Sequence, residues 1–192
     1  MKRTGNDRDT MVRIYELQGI VFATLNDAAK ASKAFQSMLV LEPERKLLGD
    51  YPPRVMTPFY EARGRASEMG RLEVKALPAA IGSGRVGQLA VEVTTDPLKM
   101  VKKVNFHVRA DGGVWLEMTG DMSGKTASVS VDGGRVEWWA EALGDRDAVV
   151  AQIGTEGQPK VDGAAAAPVA VKDAPKKAEP LTPAEPGPGE PE

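Results

Sequence analysis

The sequence predicts an α+β fold: an antiparallel β-meander of about six strands packed with N-terminal helices, then a disordered tail rich in Pro, Ala and Glu. Three observations carry that expectation. Apolar residues recur at helical spacing between residues 28 and 69. Beyond Gly70 the period changes to two. At Gly154 the composition changes abruptly.

Residues 1–10 (MKRTGNDRDT) are polar and carry charges of both signs, so they read as a disordered leader without the apolar segment of a secretory signal. Met11–Thr24 (MVRIYELQGIVFAT) is rich in β-branched and aromatic residues, which predicts a long strand, or a strand pair broken at Gly19. Thr24 or Asn26 then offers a capping oxygen for a helix. Ala28, Ala31, Phe35, Met38 and Leu39 form its apolar stripe, opposite Lys30, Lys33 and Gln36. Pro43–Leu48 (PERKLL) resembles a short helix opened by proline and closed by Gly49, and Tyr51-Pro52-Pro53 an extended connector. Thr57-Pro58 fits an N-cap and first helical residue, for a helix ending at Met69 with Gly70 as its stop.

From Leu72 onward, apolar and polar residues alternate. Leu72, Val74 and Ala76 form one set, Leu89, Val91 and Val93 another, and Val104, Phe106 and Val108 a third, as in antiparallel strands buried on one face. Two hairpins are expected. A three-residue loop, Ala110-Asp111-Gly112, would set Val108, Phe106 and Val104 opposite Val114, Leu116 and Met118. A two-residue turn at Gly133-Gly134 would set Val131 opposite Val136 and Val129 opposite Trp138. Residues 11–153 are thus read as a single domain.

Residues 154–192 hold 8 of the 14 prolines, seven acidic groups, four lysines and no aromatic residue. So few large apolar groups cannot offset the entropy of ordering, hence the expectation of disorder. The net charge of −2 is an average over unlike parts, with 21 basic and 20 acidic groups in residues 1–153 and the excess acidity in the tail.

Composition narrows the chemistry. With no cysteine, disulfides, thiolate metal sites and cysteine nucleophiles are excluded, and with His107 as the single histidine, so is any site needing two imidazoles. No apolar run approaches the roughly 20 residues of a membrane span, so a cytoplasmic protein is expected, with no membrane association. Gly82-Ser83-Gly84-Arg85-Val86-Gly87 satisfies G-x-G-x-x-G, but Gln88–Thr94 alternates as a strand where a dinucleotide site needs a helix. Ser123-Gly124-Lys125-Thr126 resembles the end of a phosphate loop, yet position 119 is Thr where the first glycine belongs. No cofactor, metal or catalytic set is predicted.

The expected registers place Lys103, Asn105, His107 and Arg109 on the polar face of the sheet. Trp115, Glu117 and Thr119 join them, then Thr126, Ser128 and Ser130, and finally Glu137, Trp139 and Glu141. Two tryptophans flanked by cations on a polar face suit a binding surface, for which Lys103, His107, Arg109, Trp115 and Trp139 are the candidate residues. Alternatively, the helix at 28–39 covers this face through Phe35 and Met38 and buries both indoles. The functional expectation is a non-enzymatic interaction or assembly protein, such as a virion or complex component, that joins a protein partner or itself through the sheet and a flexible tail. The alternative is a single-stranded nucleic-acid-binding protein using the Trp/Lys/Arg face.

Overall fold

The computed structural model describes residues 5–163 of the 192, and most of the predicted tail, residues 164–192, lies outside them, as do residues 1–4. The class is α+β: among the described residues three N-terminal α-helices precede nine strands, all of whose pairings are antiparallel.

The helices are α1 (Arg8–Thr24), α2 (Ala28–Leu41) and α3 (Pro53–Met69). The expected strand at Met11–Thr24 is therefore a helix, and part of the expected leader belongs to it. Asp7 caps α1 by accepting from the Thr10 amide, and Val12, Glu16, Gly19 and Ala23 succeed one another along its buried side. Gly19 interrupts no strand. It gives the Phe35 ring of α2 room, since a Cβ there would lie 2.4 Å from that ring. The cap of α2 is Asp27, not Thr24 or Asn26, and accepts from the Lys30 amide.

Pro43–Leu48 is irregular rather than helical. Pro43 keeps Glu42 out of the helical region (φ −135°, ψ 87°), and so short a run does not offset helix nucleation. The segment is held by Arg45, whose Nη2 and Nε donate to Glu16 Oε2 at 2.6 and 3.0 Å. α3 starts earlier than Thr57-Pro58 predicts, with Pro53 in its first turn, and ends as expected at Gly70.

The strands are β1 (Glu73–Ala76), β2 (Ala80–Gly82), β3 (Arg85–Thr95), β4 (Lys103–Ala110), β5 (Leu116–Ser123), β6 (Thr126–Gly133), β7 (Arg135–Leu143), β8 (Val149–Ile153) and β9 (Lys160–Gly163). Their order is β1-β3-β6-β5-β4-β7-β8, with β2 on β3 and β9 on β7. Only β4-β5-β6 run as a meander. β7 returns beside β4, and β3 lies beside β6, so the topology is a Greek key read from either end.

Both predicted hairpins change. β4 and β5 do pair, but Val108 lies opposite Leu116, Phe106 opposite Met118 and Val104 opposite Gly120, a slip of two residues that preserves the facing. Val114, placed in the core by the predicted register, is 76% exposed. Its loop is claimed by another segment: the Asp111 carboxylate accepts from the amides of Gly134 and Arg135, and the Asp111 amide donates to Arg135 O at 2.8 Å. The second hairpin is absent. β6 pairs with β3 and β5, β7 with β4, β8 and β9, and at Gly134 the chain crosses between sheet halves. Gly133 permits the crossing, since a Cβ there would lie 2.8 Å from Val136 Cγ2 and 2.9 Å from Ala110 Cβ.

The sheet folds on itself. Val86, Leu89 and Val91 of β3 with Ala127 and Val129 of β6 share one core with Val104, Phe106 and Val108 of β4 and Val136, Trp138 and Ala140 of β7. β5 bridges the halves, pairing with β4 through most of its length and with β6 at Met122 and Ser123. A second core, built on Phe35, Met38, Phe59 and Val12, lies among the helices and meets the sheet at Ala142 and Val150. The helices thus sit beside one edge of the sheet rather than over its polar face.

The expected boundary at 153/154 falls inside folded structure. Thr155 and Gln158 close a turn, β9 pairs with the first half of β7, and Trp138 Nε1 donates to Asp162 Oδ2 at 2.6 Å. Edge strands are secured by main-chain bonds and need few apolar residues, so this composition does not prevent folding.

Candidate functional site

β4 fixes the site by its pleat. Val104, Phe106 and Val108 point into the sandwich core, which turns Lys103, Asn105, His107 and Arg109 to the opposite side. Pairing with β7 sets His107 opposite Trp139, Arg109 opposite Glu137 and Asn105 opposite Glu141; pairing with β5 sets His107 opposite Glu117 and Asn105 opposite Thr119. The predicted Thr126, Ser128 and Ser130 do not join this face, because β6 lies in the other half of the folded sheet.

The expected cover by Phe35 and Met38 is not found. Both side chains are fully buried in the helical core, with Phe35 edge-on to Phe59 at 5.5 Å between centroids. Trp115 and Trp139 are part-buried and border a cleft of about 840 Å³ on the outer face of the sheet. Its walls include Lys103, Asn105, His107, Glu117 and Glu141.

The five candidate residues therefore share a face, but the cations among them are already engaged. The His107 ring stacks on the Trp139 indole with centroids 3.6 Å apart and planes 6° from parallel, and its Nε2 lies 3.6 Å from Glu141 Oε2. Arg109 does not line the cleft. Its guanidinium sits 4.7 Å from the Trp115 ring centroid while its Nε donates to Glu137 Oε2 at 2.7 Å, so it braces that indole from behind. Arg135 bonds the other oxygen of Glu137 at 2.9 Å, and Lys103 Nζ lies 2.8 Å from Asp147 Oδ1. Asn105 donates to Glu117 Oε1 at 2.8 Å and accepts from Thr119 Oγ1 at 2.9 Å.

Sequence reasoning missed the far wall, formed by Asp147, Gln152 and Glu156. Glu156 lies in the segment assigned to the tail; the Glu156-Gly157 dipeptide of the Thr155–Gln158 turn was the available signal. With these residues counted, Lys103 faces Glu117, Asp147 and Glu156 in the lining, with His107 and Glu141 set against each other. The cleft is acidic although the folded chain is nearly neutral.

The two nucleotide-like motifs resolve as turns. Ser83 and Gly84, with φ of 51° and 76°, form the β2–β3 hairpin turn, and Gly124, at φ 64°, lies in the β5–β6 turn. Neither opens a helix. Among the described residues no group of three or more His, Asp and Glu side chains is arranged to hold a metal ion, and no helix is long and apolar enough to cross a membrane.

No protein-family model matches the chain, and no curated protein does. Among solved structures it is similar to a crystal structure of the Br derivative of BhCBM56, a carbohydrate-binding module, with 17% identity and a TM-score of 0.35 over 50% of this chain and 100% of that one. Likeness at that level bears on neither activity nor partner.

Proposed function

We propose that the protein is a non-enzymatic binding module whose β4–β5–β7 cleft takes a basic segment of a protein partner, as a component of a larger assembly. The observation that carries this reading is the charge state of the cleft. Lys103 and Arg109 are committed to Asp147 and Glu137, whereas Glu117 and Glu156 add negative charge to the walls. A lysine- or arginine-bearing strand would meet acceptors along the walls and part-buried indoles for its aliphatic stems. Single-stranded nucleic acid needs cations to displace its counterions, and here the candidate cations are neutralised from within. The same reading suits any assembly component, a virion protein included.

A fluorescence titration of the full chain with a short alternating Lys-Ala peptide tests it. Saturable change in indole emission, weakened by added salt and lost in Trp139→Ala and in the double variant Glu117→Gln/Glu156→Gln, is the expected result. Saturation by oligothymidylate with no response to the peptide would replace the basic segment with nucleic acid, and silence toward both would remove the cleft as a site for either.

A further inference from the structure

β9 delivers the chain to one end of the cleft. Lys160 pairs with Trp138 and Gly163 with Arg135, so β9 runs away from the row of Trp139 and stops at Gly163. There the backbone leaves the extended region, at φ 89°, and a Cβ would lie 2.1 Å from Gly134 O, so glycine alone fits the point of exit. Glu117, exposed on the cleft wall, shares the row of Trp139, because His107 pairs with both. That row is four residues along β7 from Arg135, about 13 Å, and β5 is three strands across from β9, about 14 Å, which puts Glu117 about 20 Å from Gly163. Glu156, also exposed, belongs to the turn that leads into β9 itself.

The sequence beyond Gly163 carries the charge that complements these walls. Residues 164–192 lie outside the described residues, but the order of their charges is plain: Lys172, Lys176 and Lys177 come first, with Asp173 the single acid among them, and Glu179, Glu185, Glu190 and Glu192 all follow. Nine residues lead from Gly163 to Lys172, a maximum span of about 30 Å, which exceeds the distance to Glu117 with length left for reversing direction. Given the cleft as a site for basic segments, on which this rests, we propose that residues 169–177 (VAVKDAPKK) dock in the β4–β5–β7 cleft of their own chain, set their lysines on Glu117 and Glu156, and so compete with a basic partner for the site. Segregation of charge selects this stretch over the rest of the tail, since the four glutamates beyond it would meet like charge in the cleft. Tethering adds to the attraction. A ligand joined to its site by a short connection is presented at an effective concentration on the order of millimolar, so a contact that is weak between separate molecules is populated within one.

Zero-length carbodiimide cross-linking of the full wild-type chain tests the contact, because it joins a lysine amine to a carboxylate only where the two meet. Equal amounts of isotope-labelled and unlabelled chain are treated together, at low salt and at about 0.5 M, and the linked peptides are identified by mass spectrometry. Lys172, Lys176 or Lys177 joined to Glu117 or Glu156 within one chain, and several-fold less at high salt, is the expected result. Links from these lysines that favour Asp132, whose side chain is 80% exposed just before the Gly133-Gly134 crossing against which Gly163 packs, would overturn it. So would links that join labelled to unlabelled chains, or none at all. Titration with the Lys-Ala peptide then separates the internal contact from partner binding. The full-length variant Lys172→Gln/Lys176→Gln/Lys177→Gln is expected to bind the peptide at least about threefold more tightly than wild type. Equal binding by the two would overturn the competition and leave the cleft as a site for basic partners. Internal cross-links with no response to the peptide from either chain would uphold the internal contact and remove the partner.

Discussion

The helical third and the β-sandwich each hold a separate core, and they close it by opposite means. In the helical third Phe35 and Phe59 meet edge to face among residues nearby in sequence, and Gly19 lets α1 and α2 approach. In the sandwich the core is assembled from distant strands that cross between halves at Gly134, with Trp138 and Phe106 at its centre. The difference extends to the surfaces. A pleated strand sends alternate residues outward, so the sandwich can fill its core and still present a polar, aromatic cleft. Helix α1, by contrast, buries Val12, Gly19 and Ala23 on one side and leaves Leu17 and Val21 exposed on the other among the described residues.

Adjacent tryptophans on β7 give the sharpest way to break the sandwich side of that comparison. Trp138 is completely buried and bonded to Asp162, so Trp138→Ala is expected to cost about 3–5 kcal/mol in urea unfolding. Trp139→Ala loses the stack on His107 and is expected to cost about 1 kcal/mol, consistent with an aromatic pair outside the core. Equal losses at the two positions would mean that the outer face is structural rather than a binding surface.

Gly19→Ala tests the helical side. In a free helix the change would stabilise by about 1 kcal/mol. Here the new methyl would meet a Phe35 ring that is fully buried and cannot withdraw, so net destabilisation of about 1–3 kcal/mol is expected. A more stable variant would show that α1 is free to move away from α2. Asp7→Ala comes next in size, with an expected loss of about 1 kcal/mol from the α1 cap, read from the same unfolding curves.

These contrasts also explain which parts are legible in the sequence. The strands at Leu89–Val93 and Val104–Val108 are, because one buried face imposes strict alternation. Helix α1 is not. Its composition favours a strand, and the signs of a helix, the Asp7 cap and the small residues Gly19 and Ala23 facing Phe35, acquire meaning only beside α2. The turn at Gly133-Gly134 reads as local in sequence, when its partners are Asp111 and Ala110, more than twenty residues earlier. Parity alone places the five candidate residues on one face, and parity survives a two-residue slip of register. The acidity of the cleft is hidden, since Asp147, Gln152 and Glu156 arrive from beyond β7.

The smallest expected effects distinguish the two regions by what holds their surface carboxylates. Asp27, at the head of α2, is held below its ordinary pKa first by the Lys30 side chain and then by the Lys30 amide. Asp111, at the crossover, is held low first by the Arg135 and Gly134 amides, with Arg85 contributing less. In each the folded-state pKa lies below the unfolded value near 3.8, so the contribution is complete above that value and disappears as the pH falls through the folded one. Melting curves of Asp27→Asn and Asp111→Asn should therefore run parallel to wild type above about pH 5 and converge on it in more acid solution. Salt separates them. Lys30 and Asp27 form an exposed ion pair at 2.7 Å, which concentrated salt screens, whereas main-chain amides fixed by the fold continue to bond Asp111. In about 1 M salt the Asp27→Asn difference should shrink well below its low-salt value while the Asp111→Asn difference persists. If both differences shrink together, the crossover is held by Arg85 rather than by the backbone, and the link between the β4–β5 loop and the start of β7 is electrostatic in origin.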